Sequence, residues 1–310
     1  MSASGSPQAR PATDGLTPSP DRTQLAIALT ITLLISRLPE IILRDVVGLD
    51  IPALAWPIAA LVITTVLWLG ARALSWLEPF ERYLAVMIAV TLAIVAVEVI
   101  FTSGVWATVV PPTTQPMILL LAERIVLAGL GLLVIGAALA LGASRREAYL
   151  VVGDLDGPTN IRRSNGQLLG WKRFGPMAFV GLMLLMVWFA APQLPDDIDL
   201  AAALPFIAIG AVAALLNAFW EEAAFRAAPM SMLQRAIGPS AGVVILAIWF
   251  GLGHYYGGIP SGPMGAVAAG AVALLFGRAM IETRGLGWPI ALHFAGDLVI
   301  YTFLAIASVA

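Results

Sequence analysis

The chain has 310 residues, 60% of them hydrophobic and 12% charged. Soluble domains carry about a quarter charged residues, so this apolar surplus is too large for a water-facing surface. The expectation is an all-α, polytopic bundle of about nine membrane spans at roughly 20 residues each. A net charge of −2 comes with no basic domain to bind nucleic acid, and the absence of cysteine excludes disulfides, thiolate metal sites and a cysteine nucleophile.

Residues 1–23 are rich in Ser, Pro, Thr and Ala and are expected to form a disordered cytoplasmic tail. The first apolar run reads as a retained membrane helix rather than a removed signal peptide, because no clear small-residue cleavage site follows it. Residues 24–143 hold four apolar segments: Leu25–Leu43, Pro52–Leu69, Tyr83–Phe101 and Met117–Leu141. Residues 144–175 form a polar, basic loop. Residues 176–310 hold five more segments: Pro176–Ala191, Ala201–Arg226, Ala241–His254, Pro263–Ile281 and Leu286–Val309.

Lys and Arg cluster in alternate connections. Arg10 and Arg22 precede the first segment, Arg72 and Arg82 follow the second, and Arg145, Arg146, Arg162, Arg163, Lys172 and Arg173 fill the large loop. The intervening connections are almost empty of them. The positive-inside rule then puts the N-terminus in the cytoplasm and the C-terminus outside, in an integral protein of the cell membrane.

Charges inside apolar segments need partners. Arg37 and Glu40 stand at i,i+3 and can pair locally. Glu123 and Arg124 are neighbours pointing about 100° apart, so each is expected to meet a group on another helix, Glu98 being one candidate.

The densest such group is Asn217-Ala-Phe-Trp-Glu221-Glu222-Ala-Ala-Phe-Arg226. Glu222 and Arg226 are four apart and share a helix face, so they can form an ion pair. Glu221 points elsewhere, toward the face of Asn217 and Phe225. Without a local cation it is the group placed to act as a general base. The two histidines of the chain lie downstream, in Phe250-Gly-Leu-Gly-His254 and His293-Phe-Ala-Gly-Asp297. His293 and Asp297 are again four apart, so the carboxylate can orient the imidazole or share a ligand with it.

These three stretches resemble the motifs of the CPBP family, the CAAX proteases and bacteriocin-processing enzymes also called Abi proteins. That family is marked by Glu-Glu-x-x-x-Arg, then Phe-x-x-x-His, then His-x-x-x-Asn. The order matches here, over about Ala201–Tyr301. Arg278-x-x-x-Glu282-Thr283-Arg284-Gly285-x-x-x-Pro289 is similar to the family's linking stretch, and Leu169-Gly170-Trp171-Lys172-Arg173 to a run that often precedes its core. The resemblance implies an intramembrane endopeptidase acting on a membrane-associated protein or peptide. Glu221 and His254 would hold and deprotonate a water, Glu222 and Arg226 would brace the site, and His293 with residue 297 would stabilise the oxyanion.

Asp297 departs from the pattern, since an ionised carboxylate cannot donate to an oxyanion. It would have to be protonated, orient His293, or bind a metal. The family is often labelled metalloprotease, and Glu221, His254, His293 and Asp297 could bind a divalent metal such as zinc with an open position for water. Two other classes fit the residues: a non-catalytic immunity or regulatory protein of the same fold, and a proton-coupled transporter using the buried Glu, His and Asp as a relay. The charge rule puts Glu221 and His293 near the cytoplasmic face but His254 at the outer end of its segment. A tilted or re-entrant seventh segment is the expected way to bring them together.

Overall fold

A computed structural model describes residues 21–310 except Asp196 and Ile259. Most of the expected N-terminal tail lies outside the described residues. The chain forms a bundle of apolar helices, and the described strands are one short hairpin.

Helix α1 spans Arg22–Ile35, capped by the Asp21 carboxylate, which accepts from the Thr23 N–H. The chain then bends by 52° into α2, Leu38–Ile41, and a π-helical turn, Ile42–Val46. Helices α3 (Ala55–Ala73), α4 (Glu81–Phe101), the short α5 (Gly104–Val109) and α6 (Pro116–Ala140) complete the N-terminal half. A hairpin of β1 (Pro158–Arg162) and β2 (Leu168–Gly170) leads into α7, Trp171–Ala190. That helix starts five residues before the segment read from Pro176, because proline within the second turn removes only one ladder hydrogen bond. Helices α8 (Leu200–Glu222), α9 (Ala228–Ile237), α10 (Pro239–Gly253), α11 (Gly262–Thr283) and α12 (Gly287–Ala307) follow.

Seven helical stretches among the described residues are long and apolar enough to cross a membrane, and the bent α1–α2 pair would be an eighth. Helix α10 corresponds to the remaining expected span. Its 15 residues reach only about 22 Å at 1.5 Å per residue, against a hydrocarbon core of about 30 Å.

The sixth span does not end at Arg226. A five-residue π turn, Ala223–Ala227, and ten-residue α9 continue α8 to Ile237. The chain reverses at Gly238, whose φ of +77° lies in the region that favours glycine. Helix α10 then climbs back by about the length that the π turn and α9 descended, roughly 22 Å. His254, at its end, returns to the level of Glu221 without any re-entrant loop. The apparent conflict of depth arose from stopping the sixth span too early.

Helix α8 is central, packed most extensively on α12 and α6, while α10 packs on α11. The α10–α11 approach is close because it is glycine on glycine. A Cβ on Gly251 would stand 2.5 Å from the Ala266 carbonyl oxygen and 3.0 Å from Gly270 Cα. The segment before the hairpin runs under the α11–α12 turn. Asp154 N–H donates to Thr283 O at 2.7 Å, and the Leu286 and Gly287 N–H groups donate to Val151 O and Val152 O. Trp171 Nε1 donates to Glu282 Oε2 at 2.9 Å, so the two flanking stretches that carry the family resemblance hold one another.

Candidate active site

The six expected residues converge from three elements: α8 with its π turn, the end of α10, and the first three turns of α12. Glu222 is fully buried and forms an ion pair with Arg226, itself 3% exposed. The π turn begins at the next residue, and such turns are frequent at functional sites. Arg226 lies between two aromatic faces, its guanidinium carbon 5.2 Å from the Phe250 ring centre and 5.4 Å from that of Phe276. The cation is therefore held by one carboxylate and two π faces rather than by water.

The other oxygen of Glu222 accepts from His293 Nδ1 at 2.8 Å. This bond holds a proton on Nδ1 and leaves Nε2 facing Glu221 Oε2, 3.5 Å away. Phe276 stacks on the same ring at 5.3 Å between centres. The residue that orients His293 is thus Glu222, 71 positions away, rather than Asp297 one turn along its own helix. Asp297 Oδ2 stands 3.6 Å from His293 Nε2, too far for a hydrogen bond.

Glu221 sits differently. Its Oε1 accepts from Asn217 Nδ2 at 3.2 Å. Its Oε2 is buried and has no hydrogen-bond partner. That oxygen lies 3.5 Å from His293 Nε2 and 3.9 Å from His254 Nε2. His254 is fixed from its other side, where Nδ1 lies 2.9 Å from Phe250 O and the two rings stand 4.3 Å apart. A carbonyl can only accept, so Nδ1 carries the proton and Nε2 faces Glu221. Two imidazole nitrogens and an unpartnered carboxylate oxygen thus surround one small space.

Asn217 completes the arrangement. Its amide donates both to Glu221 and, at 2.9 Å, to Asp297 Oδ2. Sequence reading placed it on the Glu221 face without a role, because nothing in the spacing says that α12 passes there. Phe276 was likewise unsignalled. Arg124 meets a group on another helix, as expected, but the group is Tyr301 of α12, to which its Nε donates at 2.9 Å, rather than the candidate Glu98; it also lies 3.7 Å from its neighbour Glu123. Among the described residues, no group of three or more His, Cys, Asp or Glu is arranged to hold a metal ion.

Residues 203–299 match the family model described as Rce1-like, type II CAAX prenyl endopeptidase. This stretch is therefore similar to a CPBP-type domain. It contains all six motif residues, its limits lie close to the span of the resemblance read from the sequence, and α8 to α12 supply its helices. No curated protein and no solved structure matches the chain.

Proposed function

We propose that the protein is an intramembrane endopeptidase that hydrolyses a peptide bond in a membrane-associated protein or peptide with a water activated by Glu221. The observation that carries this reading is the buried, unpartnered Glu221 Oε2 facing two imidazoles. A buried carboxylate oxygen without a donor demands an explanation, and a water held between Glu221, His254 and His293 supplies one. Glu221 takes a proton from that water as its oxygen bonds to the scissile carbonyl carbon. The carbonyl oxygen becomes the oxyanion, and His293 stabilises it as the imidazolium, donating through Nε2 while its Nδ1–H stays on Glu222. When the C–N bond breaks, the proton passes from Glu221 to the leaving nitrogen. Glu222 and Arg226 position His293 and do not touch the substrate.

The two carboxylates therefore have separate roles. Glu221→Gln keeps the shape of the side chain but cannot accept the proton, and cleavage should fall by about 10²–10⁴-fold while thermal unfolding is little changed. Comparing membrane proteomes of cells carrying wild type and Glu221→Gln would identify the substrate through products formed only by the wild type. A cellular role that survives Glu221→Gln would favour the non-catalytic alternative.

Asp297 decides between two schemes. With a protonated Asp297 assisting the oxyanion, Asp297→Asn preserves or raises activity. With a carboxylate that ligates a metal or orients its ligand, the same change weakens metal binding roughly 10–100-fold. An inactive Asp297→Asn, together with loss of wild-type activity to chelator and recovery with zinc, would replace the metal-free scheme. The proposed orientation, in the cell membrane with the N-terminus in the cytoplasm, predicts that a reporter at Gly157 reads cytoplasmic and one after Ala310 reads external.

A further inference from the structure

Beside His254 lies a cavity of about 270 Å³ between the N-terminal helices and helices α8 and α10. Trp56 of α3, Trp220 of α8 and Trp249 of α10 form its walls. Ligand pockets run about 300–1,000 Å³, so this one suits a single long side chain better than a whole lipid. Two charged residues also line it. Arg37 is already engaged, 3.0 Å from Glu40. Glu98 of α4 has, among the described residues, neither a salt-bridge nor a side-chain hydrogen-bond partner.

Glu98 is in an unfavourable place for a lone anion. It lies in the last turn of α4, where the helix macrodipole presents its negative end. An ionisable residue in a membrane helix points by default to a function and to a missing partner. Tryptophan faces attract cations, and lysine and arginine carry long apolar stems that lie well along such walls.

We propose that this cavity is a substrate subsite that takes a lysine or arginine side chain next to the scissile bond, with its cationic head at Glu98 and its stem between the tryptophans. The proposal rests on the protease reading only for the word substrate. The closeness to His254, which serves both the cavity and the water site, makes it a specificity pocket rather than a separate binding site.

The test uses the full chain in neutral detergent and follows its tryptophan fluorescence, since three tryptophans line the cavity. Hexylguanidinium and hexanol share a stem and differ in charge. The wild type should bind hexylguanidinium roughly tenfold more tightly, the equivalent of one desolvated cation–π and charge contact. Glu98→Gln should abolish that preference while retaining the binding of hexanol. Equal binding of the two probes by the wild type would overturn the proposal in favour of an apolar occupant, and this comparison stands even if the variant fails to fold. A preference that persists in Glu98→Gln would overturn it as well. Binding needs no turnover, so a chain that prefers the cation yet cuts no peptide keeps the subsite and loses the protease reading. A chain that cuts peptides without any preference for a basic residue does the reverse.

Discussion

Two buried glutamates, one in each half of the chain, sit in nearly the same local setting. Glu40 is 2% exposed and pairs with Arg44 four residues on, at 3.0 Å. Glu222 is fully buried and pairs with Arg226 four residues on. In each pair the arginine lies within a π-helical turn, Ile42–Val46 or Ala223–Ala227. The difference lies in what reaches the other oxygen. For Glu40 it is Arg37 of its own segment, and both arginine side chains keep about a third or a quarter of their surface in contact with solvent. For Glu222 it is His293 from α12, while Arg226 is shut between Phe250 and Phe276. The first arrangement is a local clasp that needs only its own segment. The second uses the same clasp to aim an imidazole at Glu221. An ion pair at i,i+4 is thus no sign of a site until a distant group claims the remaining oxygen.

The comparison can be broken most sharply at the glutamates themselves. Glu222→Gln leaves Arg226 buried without its counter-charge, and the loss should be about 3–5 kcal/mol, read as a lowered unfolding midpoint in detergent. Cleavage should be lost with it, because His293 loses its orienting acceptor. Glu40→Gln should cost less, about 1–2 kcal/mol, since Arg37 and Arg44 can turn to water. Equal losses at the two positions would mean that the packing around Arg226 contributes nothing special.

Arg226→Lys sharpens the same point. A lysine keeps the charge but not the planar face that lies against Phe250 and Phe276, so stability should fall by about 0.5–2 kcal/mol. Arg44→Lys, measured in the same way, should fall by less, because the Tyr256 ring lies 6.0 Å from its guanidinium carbon at the edge of contact.

The smallest effect belongs to a third Glu–Arg pair, at the surface. Ser144 and Glu147 close a turn with the reciprocal bonds of a capping box, the Ser144 N–H donating to the carboxylate at 2.8 Å and Glu147 N–H donating to the Ser144 hydroxyl. Arg235 approaches the same carboxylate at 3.0 Å. The Ser144 backbone N–H, then its side chain, then Arg235 hold the Glu147 carboxyl below its ordinary range against a small opposing burial. A depressed folded value means that the stabilisation is complete above the unfolded value and is lost as pH falls through the folded one. Glu147→Gln should therefore lower the unfolding midpoint slightly at about pH 7, and the gap from wild type should close as pH falls below about 4. A gap that widened in acid would reverse the sign of the argument.

Much of this molecule is legible in its sequence, because membrane burial is written in composition and helix faces are written in spacing. The all-helical bundle, the Glu222–Arg226 and Arg37–Glu40 pairs and the CPBP-type motifs all depend on residues within a few positions of each other or on long apolar runs. The length of the sixth span was not legible, because the polar residues at 221, 222 and 226 look like an end when they are the buried middle of a longer helical stretch. Nor was the partner of His293, since Glu222 and Asp297 offer the same carboxylate and only the crossing of α8 with α12 chooses between them. Asn217 between Glu221 and Asp297 and Phe276 on His293 are contacts between helices far apart in the chain, and Glu98 and His254 line one tryptophan-walled cavity from equally distant helices. Spacing fixes which residues share a face of one helix. Only packing fixes which faces meet.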